Sequence, residues 1–229
     1  MKDILLYLKQ IKIIVLKDLK IEFRKKDMIA SVIVFAFLVV LVFAFVFDSR
    51  AINLEYIFPG LIWVIFIFSG IMALNRSFNL EKNNNSIYGL MLCPLDKSVI
   101  YFAKLLANLI YMFIIEGLSL FFLIVIFNYE MTGSFLALII VVSLGTFAFV
   151  AIGTFLAALS SNLSGSEVLF PVIFLPMFLP ILIAALELTT GVLEGKEIIE
   201  MAFWLRLLIV YNILFIVVPF VLFDFLMEV

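Results

Sequence analysis

MIASVIVFAFLVVLVFAFVF, residues 28–47, carries no charged side chain over its twenty positions. A helix rises 1.5 Å per residue, so about twenty apolar residues span the hydrocarbon core of a bilayer. The chain offers five further stretches of this kind. Tyr56–Leu74 is interrupted near its start by Pro59-Gly60, and Leu105–Phe127 is extended backwards by Val99–Lys104. Ser134–Leu159 and Val168–Leu186 follow. The last is Leu207–Phe223, with a possible start at Met201 and Trp204 as an interface anchor; Arg206, Asn212, Pro219 and Asp224 interrupt it. Their lengths are helical and lack the ten-residue alternation of barrel strands, and helices satisfy their own backbone hydrogen bonds in lipid.

Composition agrees. Of 229 residues, 66% are apolar and 14% charged, with 27 phenylalanines, whereas a soluble domain is nearer half apolar and a quarter charged. One core cannot bury that excess, so the class is an all-α membrane protein with six transmembrane helices. The absence of histidine and the single Cys93 exclude histidine-dependent acid–base chemistry, the usual metal sites and an intrachain disulfide. No phosphate-binding glycine loop or nucleophile constellation is present, which sets a membrane enzyme aside. No linker divides the chain, and nothing marks nucleic-acid binding.

Charge placement gives orientation. Eight of the fifteen Lys and Arg residues precede Met28, and Arg76, Lys82, Lys97 and Lys104 surround the connection after the second span. The intervening connections on the other side hold Asp48, Glu55, Glu130, Glu194, Glu197 and Glu200. The excess of positive charge predicts both termini and the 75–104 region on the cytoplasmic side.

Residues 1–27 form a unit distinct from the 28–229 transmembrane domain. At about 100° per residue, Ile4, Leu8, Ile11, Val15 and Leu19 share one face, with Lys9, Lys12, Lys17, Lys20 and Arg24 opposite. This predicts an amphipathic helix in the cytoplasmic interface, its ammonium groups toward anionic headgroups. A solvated basic leader is the alternative, and the apolar stripe argues against it.

Three intramembrane features invite a role. Glu116 lies near the middle of the third span, where an ionisable group is costly, with Asn108 two turns earlier on a nearby face. It either faces a polar cavity or is hydrogen-bonded between helices; a proton relay would show several such groups. Pro171, Pro176 and Pro180 each remove a backbone donor, which predicts a kinked or broken fifth span, and Ser164 to Glu167 has the spacing of a capping box. That helix either moves and frames a route or packs as a bent element. In the fourth span Gly145, Ala148, Ala151, Gly153, Ala157 and Ala158 permit close approach within the bundle or across a dimer.

The polar connection NLEKNNNSIYGLMLCPLDKS, residues 79–98, has an apolar centre. Its second helix is expected to end at Asn75-Arg76, and Ile87–Leu92 to form a short amphipathic helix stopped before Pro94. Such a helix at the cytoplasmic surface either docks a protein or touches lipid. Cys93 reads as a small apolar residue.

FPGLIWVIFIFSGIMALNRSF (58–78) and NSIYGLMLCPLDKSVIYFAK (85–104) resemble the haem exporter protein B family, membrane subunits of the cytochrome c maturation ATP-binding-cassette complex. Pro59, Gly60 and Trp63 match its Pro-Gly-x-x-Trp, and Ala73, Leu74, Arg76 and Phe78 match its Ala-Leu-x-Arg-x-Phe. Leu90–Leu95 match Leu-Met-Leu-x-Pro-Leu, and Ala103 and Lys104 its Ala-Lys. The chain departs from the pattern at Asn75 and at Asn85–Tyr88, where the family carries acidic residues.

The resemblance implies an ABC-2 type exporter permease fold in the bacterial inner membrane, with residues 75–98 as the coupling segment. Ile87, Tyr88, Leu90, Met91, Leu92 and Pro94 would face a cytoplasmic ATPase that binds ATP. A homodimer, a membrane haem-handling partner and haem as substrate are also implied, and the lack of histidine agrees with haem iron being ligated elsewhere. An exporter of lipid, drug or glycan and a non-transporting assembly scaffold are the alternatives.

Overall fold

The computed structural model describes residues 2–24, 26–46, 54–83, 96–161 and 166–226. Among them every regular element is helical: α1 (Lys2–Arg24), α2 (Lys26–Val46), α3 (Leu54–Asn83), α4 (Lys97–Phe127), α5 (Phe135–Ser161), α6 (Ser166–Leu193), a 3₁₀ turn (Ile198–Met201) and α7 (Ala202–Leu226). Five are long and apolar enough to cross a membrane, over Tyr56–Leu74, Ser98–Phe127, Phe135–Leu159, Phe170–Leu193 and Ile198–Pro219. The 21-residue α2 adds the shorter apolar run Ile33–Val46. The chain is an all-α membrane protein.

Two element boundaries differ from the sequence expectation. The second span continues as helix past Asn75-Arg76 to Asn83. Leaving the hydrocarbon does not end a helix whose residues still favour it. Arg76, Leu80, Glu81 and Lys82 are helix formers, and the first sustained opposition is the Asn83–Asn85 run. The fifth span is neither broken nor interrupted: α6 runs continuously through Pro171, Pro176 and Pro180. Each proline removes one backbone hydrogen bond and crowds the carbonyl four residues earlier, a cost the helix has to offset. Packing supplies the rest, because Phe170, Phe174 and Phe178 form a buried stripe at four-residue spacing on α6. Their rings stack at 5.5 and 5.6 Å between centroids. Pro176 lies on the exposed side.

The bundle is organised around α5, which contacts α3, α4, α6 and α7. Small residues make this possible. Gly145, Ala148, Ala151, Gly153, Ala157 and Ala158 are all buried, so the small-residue stripe of the fourth span serves packing within the chain. A Cβ at Gly145 would fall 2.3 Å from the Trp63 ring of α3, and one at Gly153 would fall 2.3 Å from Leu74. The relation is reciprocal at Gly70 of α3, where the incoming group is Phe149 of α5. Phe149 also sets its ring edge-on to Phe174 and Phe178, at 4.8 and 5.0 Å. One aromatic of α5 thereby ties α3 to the phenylalanine stripe of α6.

The turn between α4 and α5 is fixed against the end of α6. Asn128 caps α4 in the left-handed region at φ 45°, its N–H donating to the Ile124 carbonyl. Thr132 Oγ1 donates to the Leu193 carbonyl at 2.6 Å. Gly133 lies so close to the Val192 carbonyl that a Cβ would overlap it, and only glycine fits.

The N-terminal helix packs on α4, a contact the sequence did not suggest. Ile11, Ile14 and Val15 are buried against Val99, Ala103 and Ala107 of α4, whereas Leu8, placed on the same face by the sequence, is 58% exposed. The buried stripe is rotated toward Tyr7, Ile14 and Asp18. A wheel drawn from hydrophobicity alone centres on the leucines; the partner surface selects the residues that fit it.

Candidate functional site

Polar side chains inside the bundle collect along the seam between α4 and α5. Asn108 Nδ2 donates to Thr154 Oγ1 at 3.1 Å, and Thr146 Oγ1 donates to Glu116 Oε1 at 2.6 Å. On α4 the two positions are eight residues apart, and on α5 they are eight apart in the opposite direction. Antiparallel helices with this matched spacing place two polar rungs about 12 Å from one another along the seam. The two residues singled out in the third span therefore act on the same neighbour. Thr146 and Thr154 were not anticipated: threonine is common in membrane helices, and nothing in the sequence says which threonines meet an acid.

Glu116 is buried, and Oε2 has no hydrogen-bond partner among the described residues. Its side chain borders an apolar lateral groove of about 160 Å³ between Phe113 and Leu120 of α4 and Phe135 and Val142 of α5. The interhelical hydrogen bond answers one of the two sequence readings, and the adjoining groove is apolar. Two further ties complete the junction. Tyr101 Oη has the carbonyls of Ala151 (3.3 Å) and Phe215 (3.4 Å) as alternative acceptors for its single hydrogen, bringing α7 to the α4–α5 pair. Asn212 Nδ2 donates to the Leu144 carbonyl at 3.0 Å. The polar residue that weakened the last span as a sequence prediction is what holds it to α5. On the far side of α5, Trp63 Nε1 donates to Thr189 Oγ1 at 3.0 Å, joining α3 to α6.

Nearer the start of α4, Lys104 is only 2% exposed and its Nζ lies 2.9 Å from Asp18 of α1. Charge counting placed Lys104 beside the connection after the second span; the structure shows it buried in an ion pair. A buried ammonium needs a partner, and in sequence that partner is 86 residues away on a helix full of lysines. Tyr7 Oη donates to Ser98 Oγ at 3.0 Å one end further along the same contact. Of the basic residues expected at the membrane surface, Lys9, Lys12, Lys20 and Arg24 are exposed, while Lys17 is half-buried and lies 3.1 Å from Asp18.

The other end of the bundle carries a cleft of about 420 Å³ bordered by Glu187, Glu194, Lys196, Glu200 and Trp204. Glu194 accepts from Lys196 at 2.7 Å, and this contact raises the lysine's pKa. Among the described residues no group of three or more acidic, histidine or cysteine side chains forms a metal site. Ile87, Tyr88, Leu90, Met91, Leu92 and Pro94 lie outside the described residues, as does Ser164.

A multi-helix membrane bundle, joined by sparse polar contacts and carrying an N-terminal helix docked on its third span, defines a polytopic integral membrane protein without a catalytic set among the described residues. Comparison with known families gives the particular one: residues 9–226 match the model of the CcmB protein family, and the chain belongs to it. Similar proteins include heme exporter protein B of Rhodobacter capsulatus, 28% identical over 185 residues, covering 80% of this chain and 83% of the relative. Heme exporter protein B of Haemophilus influenzae is 28% identical over 176 residues, 75% of this chain and 77% of the relative. The Escherichia coli K12 protein of the same name is 31% identical over 106 residues, 46% of each chain.

Proposed function

We propose that this chain is the transmembrane permease subunit of an ATP-binding-cassette transporter that exports or releases haem for c-type cytochrome biogenesis. The observation that carries this reading is the family match over nearly the whole chain, with relatives named heme exporter protein B. ATP is bound and hydrolysed on a partner subunit, and haem is substrate. The chain works as a homodimer in the bacterial inner membrane beside a membrane haem-handling protein. Both termini and residues 75–98 face the cytoplasm, a placement supported by the concentration of Lys and Arg there. Residues 1–27 form the interfacial helix and residues 28–229 the permease domain.

The mechanism is mechanical. The ATPase closes on ATP and pushes the segment carrying Ile87, Tyr88, Leu90, Met91, Leu92 and Pro94. That segment joins the end of α3 to the start of α4, so the push enters two helices that both pack on α5. The seam holding Asn108 and Glu116, and the triple-proline helix α6, then rearrange. Polar rungs suit this role, since each hydrogen bond in a membrane bundle is worth only about 0.6 kcal/mol on average and is readily exchanged.

The test is Leu90→Asp or Leu92→Asp. Each should abolish co-purification of the ATP-binding subunit while membrane insertion and abundance stay normal. Undiminished recovery of the ATPase with both variants would sink the coupling role. Normal c-type cytochromes in a deletion strain would remove haem as the substrate.

A further inference from the structure

We propose that Asp18 and Lys104 are positioning residues that lock α1 to the start of α4, so that the coupling push moves both helices as one body. The proposal rests on the permease reading for the origin of the push, but the lock itself stands on geometry.

Three kinds of contact coincide. The apolar part joins Ile11, Ile14 and Val15 to Val99, Ala103 and Ala107. The Tyr7–Ser98 hydrogen bond closes one end at 3.0 Å, and the Asp18–Lys104 ion pair closes the other at 2.9 Å. Tyr7, Ile11, Ile14, Val15 and Asp18 follow the four- and three-residue spacing of a single helix face, over about three turns. An interfacial helix held to lipid alone would slide and roll, because headgroup attraction and apolar burial are non-directional. Here the apolar packing, the Tyr7–Ser98 hydrogen bond and the Asp18–Lys104 contact act at separate points along the helix, and together they restrict both rotation and axial register. With the Asp18 side held, the opposite face presents Lys9, Lys12 and Lys20 with Leu5 and Leu16, all exposed.

The position of the lock gives it a consequence. Asp96 is the residue preceding α4, and the Val99 N–H donates to the Asp96 carbonyl at 2.9 Å. Ser98 and Val99 are thus both first-turn residues of α4 and contacts of α1. A displacement that arrives at Asp96 enters α4 at its first turn and reaches α1 through the contacts of Ser98 and Val99. The membrane-surface helix then resists or follows the push according to its grip on the headgroups.

The experiment uses the full complex with Cys93→Ser as background. Asp18→Asn and Lys104→Met should each lower ATP-dependent c-type cytochrome yield by about tenfold, because the ion pair that joins α1 to α4 is lost. Abundance and ATPase recovery should not change. The exchanged pair Asp18→Lys with Lys104→Asp should restore most of the yield, which would assign the loss to the contact between the two side chains and not to either one alone. Cysteines at Ile14 and Ala103 bridged by a short bismaleimide should leave the yield intact, since the helices already move together. Loss of yield on bridging, or no loss in either single variant, overturns the proposal.

Amide hydrogen exchange on the purified chain separates this from the permease reading. Asp18→Asn should raise exchange in 7–19 and 97–107 together. If wild type shows no ATP-dependent maturation, the permease reading falls and the exchange result alone decides the lock. Exchange that rises in α1 only, or in neither segment, removes it.

Discussion

Replacing Gly145 by alanine tests the packing of α5 directly. The added Cβ would lie 2.3 Å from Trp63 Cη2 and 3.1 Å from Cζ2 and Cζ3. Ordinary contact begins near 3.4 Å, so the indole or the helix must retreat by about 1 Å, an overpacking of the kind that costs about 1–3 kcal/mol. Trp63 is not free to swing. It is buried, sets its ring edge against Phe66 at 5.8 Å, and donates to Thr189 at 3.0 Å. Losing that hydrogen bond adds about 1 kcal/mol, and the better helix propensity of alanine returns about 1 kcal/mol. The net expectation for Gly145→Ala is a destabilisation of about 1–3 kcal/mol.

The assay is unfolding of the purified chain in mixed micelles of increasing denaturing detergent, followed by tryptophan fluorescence and helical circular dichroism. Gly117→Ala is the internal control. A Cβ there meets nothing within 4 Å, so this variant should be neutral or slightly stabilised. Trp63→Phe placed in the Gly145→Ala background should recover part of the loss, because the smaller ring relieves the overlap. Equal stability of Gly145→Ala and Gly117→Ala would refute the claim that the small-residue stripe is used inside the chain.

The polar seam yields two further expectations. Glu116→Gln keeps an acceptor for Thr146 and should alter stability by less than about 1 kcal/mol, while Glu116→Ala leaves the buried hydroxyl and a cavity and should cost about 2–3 kcal/mol; a larger loss of c-type cytochrome yield than of stability in Glu116→Gln would show that the carboxyl itself acts. Asn108→Leu and Thr154→Val should be non-additive, with a coupling of about 0.6 kcal/mol and no more than about 1.7 kcal/mol, measured by a double-mutant cycle in the same micelles.

Sequence reached far in this protein because the bilayer is a severe selector. A run such as residues 28–47 has almost no alternative to a helix, since lipid offers no partners for its backbone. Helix type, approximate number and the family resemblance all followed from local patterns of this sort. Local reasoning also noticed Glu116, Asn108 and the glycines of α5. It did not supply their partners, because hydrogen bonds such as Asn108–Thr154 and Trp63–Thr189 join residues 46 and 126 positions apart.

Local rules stopped short where a tertiary contact decides. Three prolines predicted a kink or a break; α6 is continuous, with Phe174 and Phe178 of its aromatic stripe packed on Phe149. Charge counting assigned Lys104 to one side of the membrane but could not show that Asp18 of α1 pairs with it. The hydrophobic wheel of α1 gave an amphipathic helix with Ile11, Val15 and Leu19 on its apolar face, all of which lie at the contact with α4, but it did not include Ile14. Hydrophobicity along a chain determines that a segment will leave water and in what form; which neighbour receives it depends on shape and on the pairing of buried polar groups, and those exist only once distant helices have come together.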